Sequence, residues 1–357
     1  MKKGEKNLIK QLCSFRSDKL NEDLLEFATP EVLGYLFFNR MQAIAYGVLK
    51  KNEYLSMINR EFRNSLKSAY EQNIQKNNVF FHCLDFLSDV LKEHKDKYAM
   101  LKGAILCKAY PEGYRTSNDI DLLVRPQDIT LIGETLTKAG FRQGYIRNNE
   151  FIPASRKEII ESKMLRGETV PYIFETGSPH MNYLEVDINF SLDYKNGDTN
   201  IPDSMLNNSL VIGNMSALSR SDFFIHLCCH LHKEATTLPW VKMKRDMTLY
   251  KYADIYMLLD EMCEEKVYGI FEHAKSFGLD KICAFAVLQT AELFNMKSDY
   301  AVKAASDVLR DDLNFLHRVV SPSEKKIYIY NTKDIAERFF MNDRTSDLKE
   351  VNEHEKA

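Results

Sequence analysis

The chain is poor in residues that break or staple structure. It holds 14 glycines and 9 prolines in 357 residues, and long stretches contain neither, which favours helix and excludes a collagen-like or low-complexity chain. The seven cysteines (Cys13, Cys83, Cys107, Cys228, Cys229, Cys263 and Cys283) are odd in number and scattered, with no Cys-x-x-Cys pair. That spacing suggests neither a disulfide framework nor a zinc ribbon, and the thiols read as reduced and mostly buried, as in a cytoplasm. No run approaches the roughly 18–20 apolar residues of a membrane span. A secretory leader is not expected, because Lys10, Gln11 and Ser14 interrupt the stretch Leu8 to Phe15. Charge of one sign is also scarce: the formal net charge is −3, which argues against broad nucleic-acid binding. The expectation is a soluble cytoplasmic protein, long enough for two or three modules.

Hydrophobic periodicity divides the chain into three parts. Thr29-Pro30 reads as an N-cap followed by proline at the first helical position, and Val32 to Leu49 as an amphipathic helix. From Leu55 to about Lys95 neither glycine nor proline intervenes, which suits one or two long helices. The pattern then changes to short strands at Tyr98–Leu101, Asp119–Val124, Phe141–Ile146, Val170–Thr176 and Tyr183–Leu192. A short helix is expected at Ala104–Ala109, another at Gln127–Ala139 closed by Gly140, and a turn at Gly177-Ser178-Pro179. Helices return near 217–235, 246–264, 266–276, 280–295 and 298–316. Lys326–Tyr330 could be a strand, and the charged stretch Asp343 to Ala357 is expected to fray.

Chemistry concentrates in the middle part. Downstream of Leu101-Lys102-Gly103 lies Arg115-Thr116-Ser117-Asn118-Asp119-Ile120-Asp121-Leu122-Leu123-Val124. On a strand, alternation puts Asp119, Asp121 and Leu123 on one face and Ile120, Leu122 and Val124 on the other. Two carboxylates about 4 Å apart at an effective dielectric near 20 repel by about 4 kcal/mol. They stay ionised together only with a cation between them, and oxygen-only ligation suits Mg²⁺. In Tyr183 to Phe190 the same alternation turns Leu184, Val186, Ile188 and Phe190 inward and sets Glu185, Asp187 and Asn189 opposite. If that strand pairs beside Asp119–Val124, Asp187 completes a cluster of three carboxylates able to bind two divalent ions, with Glu185 as a competing acid.

The ordered set of strand, Lys-Gly and helix, then Arg-x-Ser-x-Asp-x-Asp, then a later hydrophobic-Asp-hydrophobic strand, resembles the DNA polymerase β-like nucleotidyltransferase superfamily. More narrowly, Leu101-Lys102-Gly103-Ala104, the turn Tyr110-Pro111 and Asn118 to Val124 resemble the bacterial "uncharacterised nucleotidyltransferase" family, over about residues 96–192. The resemblance implies an α+β fold, with a mixed α/β nucleotidyltransferase core at 96–195. An N-terminal helical domain would occupy 1–95, a C-terminal one 196–320, and an extension 321–357. It implies Mg²⁺-dependent transfer of a nucleoside monophosphate from an NTP, with ATP the expected donor, to a hydroxyl or similar group on a small molecule or peptide, releasing pyrophosphate. Asp119 and Asp121 would ligate metal, and Asp187 would hold the catalytic metal and orient the acceptor hydroxyl. Gly103 would let the backbone approach the triphosphate, with Lys102, Arg115 and Ser117 contacting phosphate. The chain departs from the superfamily at Gly103-Ala104, where a Gly-Ser or Gly-Gly pair is usual, and at Asn189, where relatives often carry histidine.

Two further groups are ambiguous. His226, His230 and His232, with Glu234, could suggest zinc, but His-Glu-x-x-His is absent and the helix is otherwise apolar; packed histidines or a pocket wall are the expectation. Lys242, Lys244, Arg245 and Lys251 surround Trp240 and read either as a solvated helix edge or as a basic flap with Lys251 on the triphosphate. Lys251 could also pair with Asp254 at i,i+3. No basic stripe interleaves the aromatics, so nucleic acid is not expected, although tRNA is left open. Two other functions stay compatible with the residues. One is a catalytically weak nucleotide-binding partner of a peptide-modifying system; the other is a toxin- or antitoxin-type enzyme modifying tRNA or protein.

Overall fold

The computed structural model describes residues 1–16, 20–165, 167–192, 200–294, 296 and 298–351. The chain divides into two compact units, Ser68–His226 and Met1–Lys67 with Leu227–Ala357. It is an α+β protein, as the sequence leads one to expect. Among the described residues no helix is long and apolar enough to cross a membrane.

The unit Ser68–His226 carries an eight-stranded sheet. Its strands are β1 (Tyr98–Met100), β2 (Asp119–Val124), β3 (Arg142–Arg147), β4 (Glu150–Pro153), β5 (Tyr172–Ser178), β6 (Met181–Asn189), β7 (Leu210–Ile212) and β8 (Met215–Ala217). They lie in the order β4-β3-β5-β6-β2-β1-β8-β7. β2 runs parallel to β6 and β1 parallel to β8, and β1 is antiparallel to β2. β4, β7 and β8 have no counterpart in the periodicity. Each is too short to show alternation, and β4 and β7 are edges. On β7, Leu210, Val211 and Ile212 are each more than half exposed, at 53%, 59% and 53%.

The inward face of the sheet is apolar because the alternation of the central strands is strict. Ile120, Leu122 and Val124 of β2 and Leu184, Val186 and Ile188 of β6 are fully buried. They share one core with Tyr98 and Met100 of β1, with Ile132 and Leu136 of the helix Ile129–Lys138, and with Phe80, Leu84 and Leu87. The last three belong to the helix Arg60–Val90, one unbroken run of 31 residues. Each such side chain contributes about 1.5–3 kcal/mol by leaving water. The same helix holds the loop before β2: Asn73 and Asn77 donate side-chain amide hydrogen bonds to the carbonyls of Gly113 (2.8 Å) and Arg115 (3.0 Å). That loop carries Arg115 and Ser117 into the outward face.

The other unit is mainly helical. Thr29 caps Pro30–Phe38 as its sequence suggests, accepting from the Val32 N–H. The run Val32 to Leu49 is not one helix, however. It breaks between Pro30–Phe38 and Gln42–Lys51, at Asn39 and at Arg40, whose φ of 56° is left-handed. The Asn39 side chain supports the break, donating to the Tyr35 carbonyl (2.9 Å) and accepting from the Leu249 N–H (3.0 Å). A buried side chain that satisfies two backbone groups outweighs a continuous apolar stripe.

Helices Leu249–Asp260, Glu264–Ser276, Asp280–Phe294 and Asp299–Val308 follow. The last is shorter than its apolar pattern suggests. A 3₁₀ turn at Leu313–His317 leads instead into β9 (Arg318–Ser321), which forms an antiparallel sheet with β10 (Lys326–Tyr330) and β11 (Leu348–Glu350). The stretch expected to fray thus supplies an edge strand, and residues 352–357 lie outside the described residues. Deep in this unit Arg344 holds the fully buried Asp246 with two hydrogen bonds, Nε to Oδ2 (2.8 Å) and Nη2 to Oδ1 (2.6 Å).

Candidate active site

The outward face of β2 and β6 gathers the acids. In the parallel register Asp119 stands opposite Glu185, Asp121 opposite Asp187 and Leu123 opposite Asn189. Partners in such a ladder point to the same side, so four carboxylates form two adjacent rows. β1 flanks β2 on its other edge and leads through Leu101 and Lys102 into the helix Gly103–Ala109. The Leu101 N–H donates to the Asp121 carbonyl (2.9 Å), extending the β1–β2 ladder to the point where the chain turns. Lys102 is the turning residue, at φ 37° and ψ −112°, a backbone conformation that side chains with a Cβ rarely adopt.

From that position the Lys102 ammonium reaches Asp121 Oδ1 at 2.9 Å. The Asn189 side-chain amide donates to the same oxygen at 3.2 Å. The Ser117 hydroxyl donates to Asp119 Oδ1 at 2.5 Å. Arg115 donates to the Thr116 carbonyl and adds a positive field at Asp119. Gly103 lies against Ser117: a Cβ at residue 103 would fall 2.5 Å from Ser117 Cβ. Packing alone therefore demands glycine here. Among the described residues no three His, Cys, Asp or Glu side chains are gathered, as they stand, into a group that could hold a metal ion. Asp121 is turned to Lys102 and Asp119 to Ser117.

Burial works against every one of these carboxylates, and their neighbours decide the outcome. At Asp119 burial is outweighed by the Ser117 hydrogen bond and the charges of Lys102 and Arg115, which hold its carboxyl below the usual range. At Asp121 burial, aided by Asp119, prevails over Lys102 and raises it. Asp187 is raised furthest, by burial first and then by Asp121, Asp119 and Glu168. Among the described residues no hydrogen-bond donor meets its carboxylate. Lys102 behaves in reverse: burial would lower it, but Asp121, Asp119 and Asp187 keep it more firmly protonated than a free lysine.

Residues 26–295, more than half of the chain, match the family described as "Uncharacterised nucleotidyltransferase". The chain belongs to that family. No curated protein matches it.

In this member of the family the face holds one acid that the sequence gives no reason to single out. Glu168 bridges Asn189 across an irregular stretch, on the side of β6 away from β2, and adds to the negative field at Asp187. It follows a turn at Gly167 and belongs to no strand, so no alternation marks it. Glu185 is present on the face as well, raised by burial and by Asp119. Its electrostatic link runs to Asp119, whereas that of Asp187 runs to both Asp119 and Asp121.

Lys251 belongs to the other unit. There it is buried and ion-paired with Glu234, with its ammonium 5.8 Å from the Trp240 ring centre and 5.7 Å from that of Tyr250. Lys242, Lys244 and Arg245 are exposed, which suits the solvated edge. His230 stands 3.5 Å from Glu234, and His232 is stacked on Phe315 with its pKa pushed down to about 4 by burial.

The raised Asp187 has a consequence for stability. Below the ordinary carboxylate value of 3.8 the group is protonated in folded and unfolded chains alike. As pH rises above that value the unfolded chain ionises first, so stability falls until the folded carboxyl ionises too. Asp187→Asn carries no such penalty. It is expected to be more stable than wild type at pH 7 without divalent metal, by about 1 kcal/mol, and to lose that advantage near pH 4. Urea unfolding of both proteins at the two pH values measures it; a destabilised variant at pH 7 refutes it.

Proposed function

We propose that the protein transfers a nucleoside monophosphate from an NTP, with ATP as the donor, to a hydroxyl on a small molecule or peptide, releasing pyrophosphate. The observation that carries this reading is the parallel register that sets Asp121 beside Asp187, one residue pair from Asp119 and Glu185, next to the turn at Lys102 and Gly103. What supports Mg²⁺ is the donor chemistry: Asp119, Asp121 and Asp187 offer oxygen alone, on one face, and their mutual repulsion is relieved by a hard divalent cation. Held by these carboxylates, such cations would neutralise the triphosphate and make the attacking hydroxyl more acidic.

The remaining work belongs to the chain's own side chains. Lys102 and Ser117 lie on the β1 side of the acids and, with Arg115 beside Asp119, serve the triphosphate. Asp187, on the β6 side, accepts the hydrogen bond of the acceptor hydroxyl and orients it. The acceptor's hydroxyl oxygen forms the new bond to the α-phosphorus, the bond from the α-phosphorus to the bridging oxygen breaks, and pyrophosphate leaves. The hydroxyl proton passes to the Asp187 carboxylate. Positioning and charge neutralisation account for the rate, since no covalent intermediate with the protein is needed.

The test is to incubate the protein with α-labelled ATP, Mg²⁺ and a small-molecule and peptide extract of the source cell. Pyrophosphate release that stops with EDTA, together with label on a low-mass product, is the expected result. Label on tRNA or on a protein would change the acceptor. No pyrophosphate with any of the four NTPs would overturn the proposal.

A further inference from the structure

We propose that Lys102 is an exchangeable counter-ion. It competes with a divalent cation for Asp121 and, once displaced, goes to the triphosphate, so that metal and nucleotide bind strongly together and weakly apart. This inference rests on the reading of the site given above.

Three observations carry it. The Lys102 ammonium sits 2.9 Å from Asp121 Oδ1, with Asn189 on the same oxygen, so the carboxylate at the centre of the acid face is already engaged. Asp121 is only 4% exposed, which keeps that ion pair from being screened by solvent. The third observation is the backbone of Lys102, at φ 37° and ψ −112°. Glycine holds such a turn without strain, whereas any residue with a Cβ destabilises it. A lysine at a position whose backbone favours glycine points to a role for its side chain.

The chemistry then leaves few choices. An ammonium and a divalent ion both held against Asp121 repel each other strongly in a site removed from water, so they compete for its carboxylate. Metal alone therefore displaces the lysine and leaves it without its carboxylate. Metal arriving with a triphosphate gives the expelled ammonium three charged phosphates to bind, as an NTP-binding lysine does. The two ligands thus help each other, and by linkage the help is mutual.

The test is calorimetric titration of Mn²⁺ and of α,β-methylene-ATP, separately and together, into wild type, Lys102→Gly and Lys102→Met. Lys102→Gly suits the turn's backbone and keeps the test valid if the methionine variant does not fold. In wild type the nucleotide analogue is expected to tighten Mn²⁺ binding by about 10- to 100-fold. In the variants Mn²⁺ alone should bind about tenfold tighter than in wild type, and the analogue with saturating Mn²⁺ about tenfold weaker. These opposite signs distinguish exchange from simple loss of a phosphate contact, which would weaken the analogue and leave Mn²⁺ alone unchanged. If wild type binds both ligands and the variants keep its coupling, or if Mn²⁺ alone binds them no tighter, the exchange is refuted while the nucleotidyltransferase reading stands. If wild type binds neither ligand in any combination, both fall.

Discussion

Asp121→Asn is expected to lower Mg²⁺-dependent pyrophosphate release by about 10³-fold or more while leaving the fold intact. The side chain lies at the centre of the acid face, with the Lys102 ammonium at 2.9 Å, the Asn189 amide at 3.2 Å and Asp187 as its register partner. Asparagine has the same shape, and its amide oxygen can still accept from Lys102, so packing is retained. What is lost is the negative charge, which a divalent ion needs and a hydrogen bond does not. Asp119→Asn should act in the same direction. Circular dichroism melting alongside a pyrophosphate-coupled assay separates the two effects. A variant within tenfold of wild type would remove Asp121 from the chemistry.

The largest expected loss of stability lies elsewhere. Asp246 is fully buried and Arg344 nearly so, joined by hydrogen bonds of 2.8 and 2.6 Å. Arg344 also donates to the carbonyls of Phe339 and Met341, each at 3.4 Å. Asp246→Ala leaves this guanidinium buried without its counter-charge, at an expected cost of about 3–5 kcal/mol. Replacing both partners, Asp246→Leu with Arg344→Met, should cost less than Asp246→Ala, because no orphaned charge remains. Urea unfolding of the three proteins tests the order. A single variant that loses less than about 1 kcal/mol would mean that solvent reaches the guanidinium.

What could be read from the sequence was what repeats along it. The alternation of β2 and β6 foretold which residues face inward, and the structure buries Ile120, Leu122, Val186 and Ile188 accordingly. It also assigned Asp119, Asp121 and Asp187 to outward faces, and pairing of the two strands then brings them side by side. Features decided by single contacts were not legible. Asn39 and Arg40 break a helix whose apolar stripe runs on through them, because one amide serves two backbone groups. Glu168 reaches the acid face from a segment outside any strand. Asp246 and Arg344 are partners 98 residues apart, and neither shows any local sign of the other. The glycine at 103 was legible as a residue type but not in its cause, which is the side chain of Ser117.

The parallel pairing of β2 with β6 also bears on how the molecule comes together. Between Val124 and Met181 the chain must lay down β3, β4 and β5 before it can return beside its earlier strand. Closing so long a loop is slow and entropically costly. The mutually repelling groups are therefore expected to meet late, on a scaffold whose greasy side has already collapsed, so that their repulsion bears on the finished molecule and hardly on the route to it.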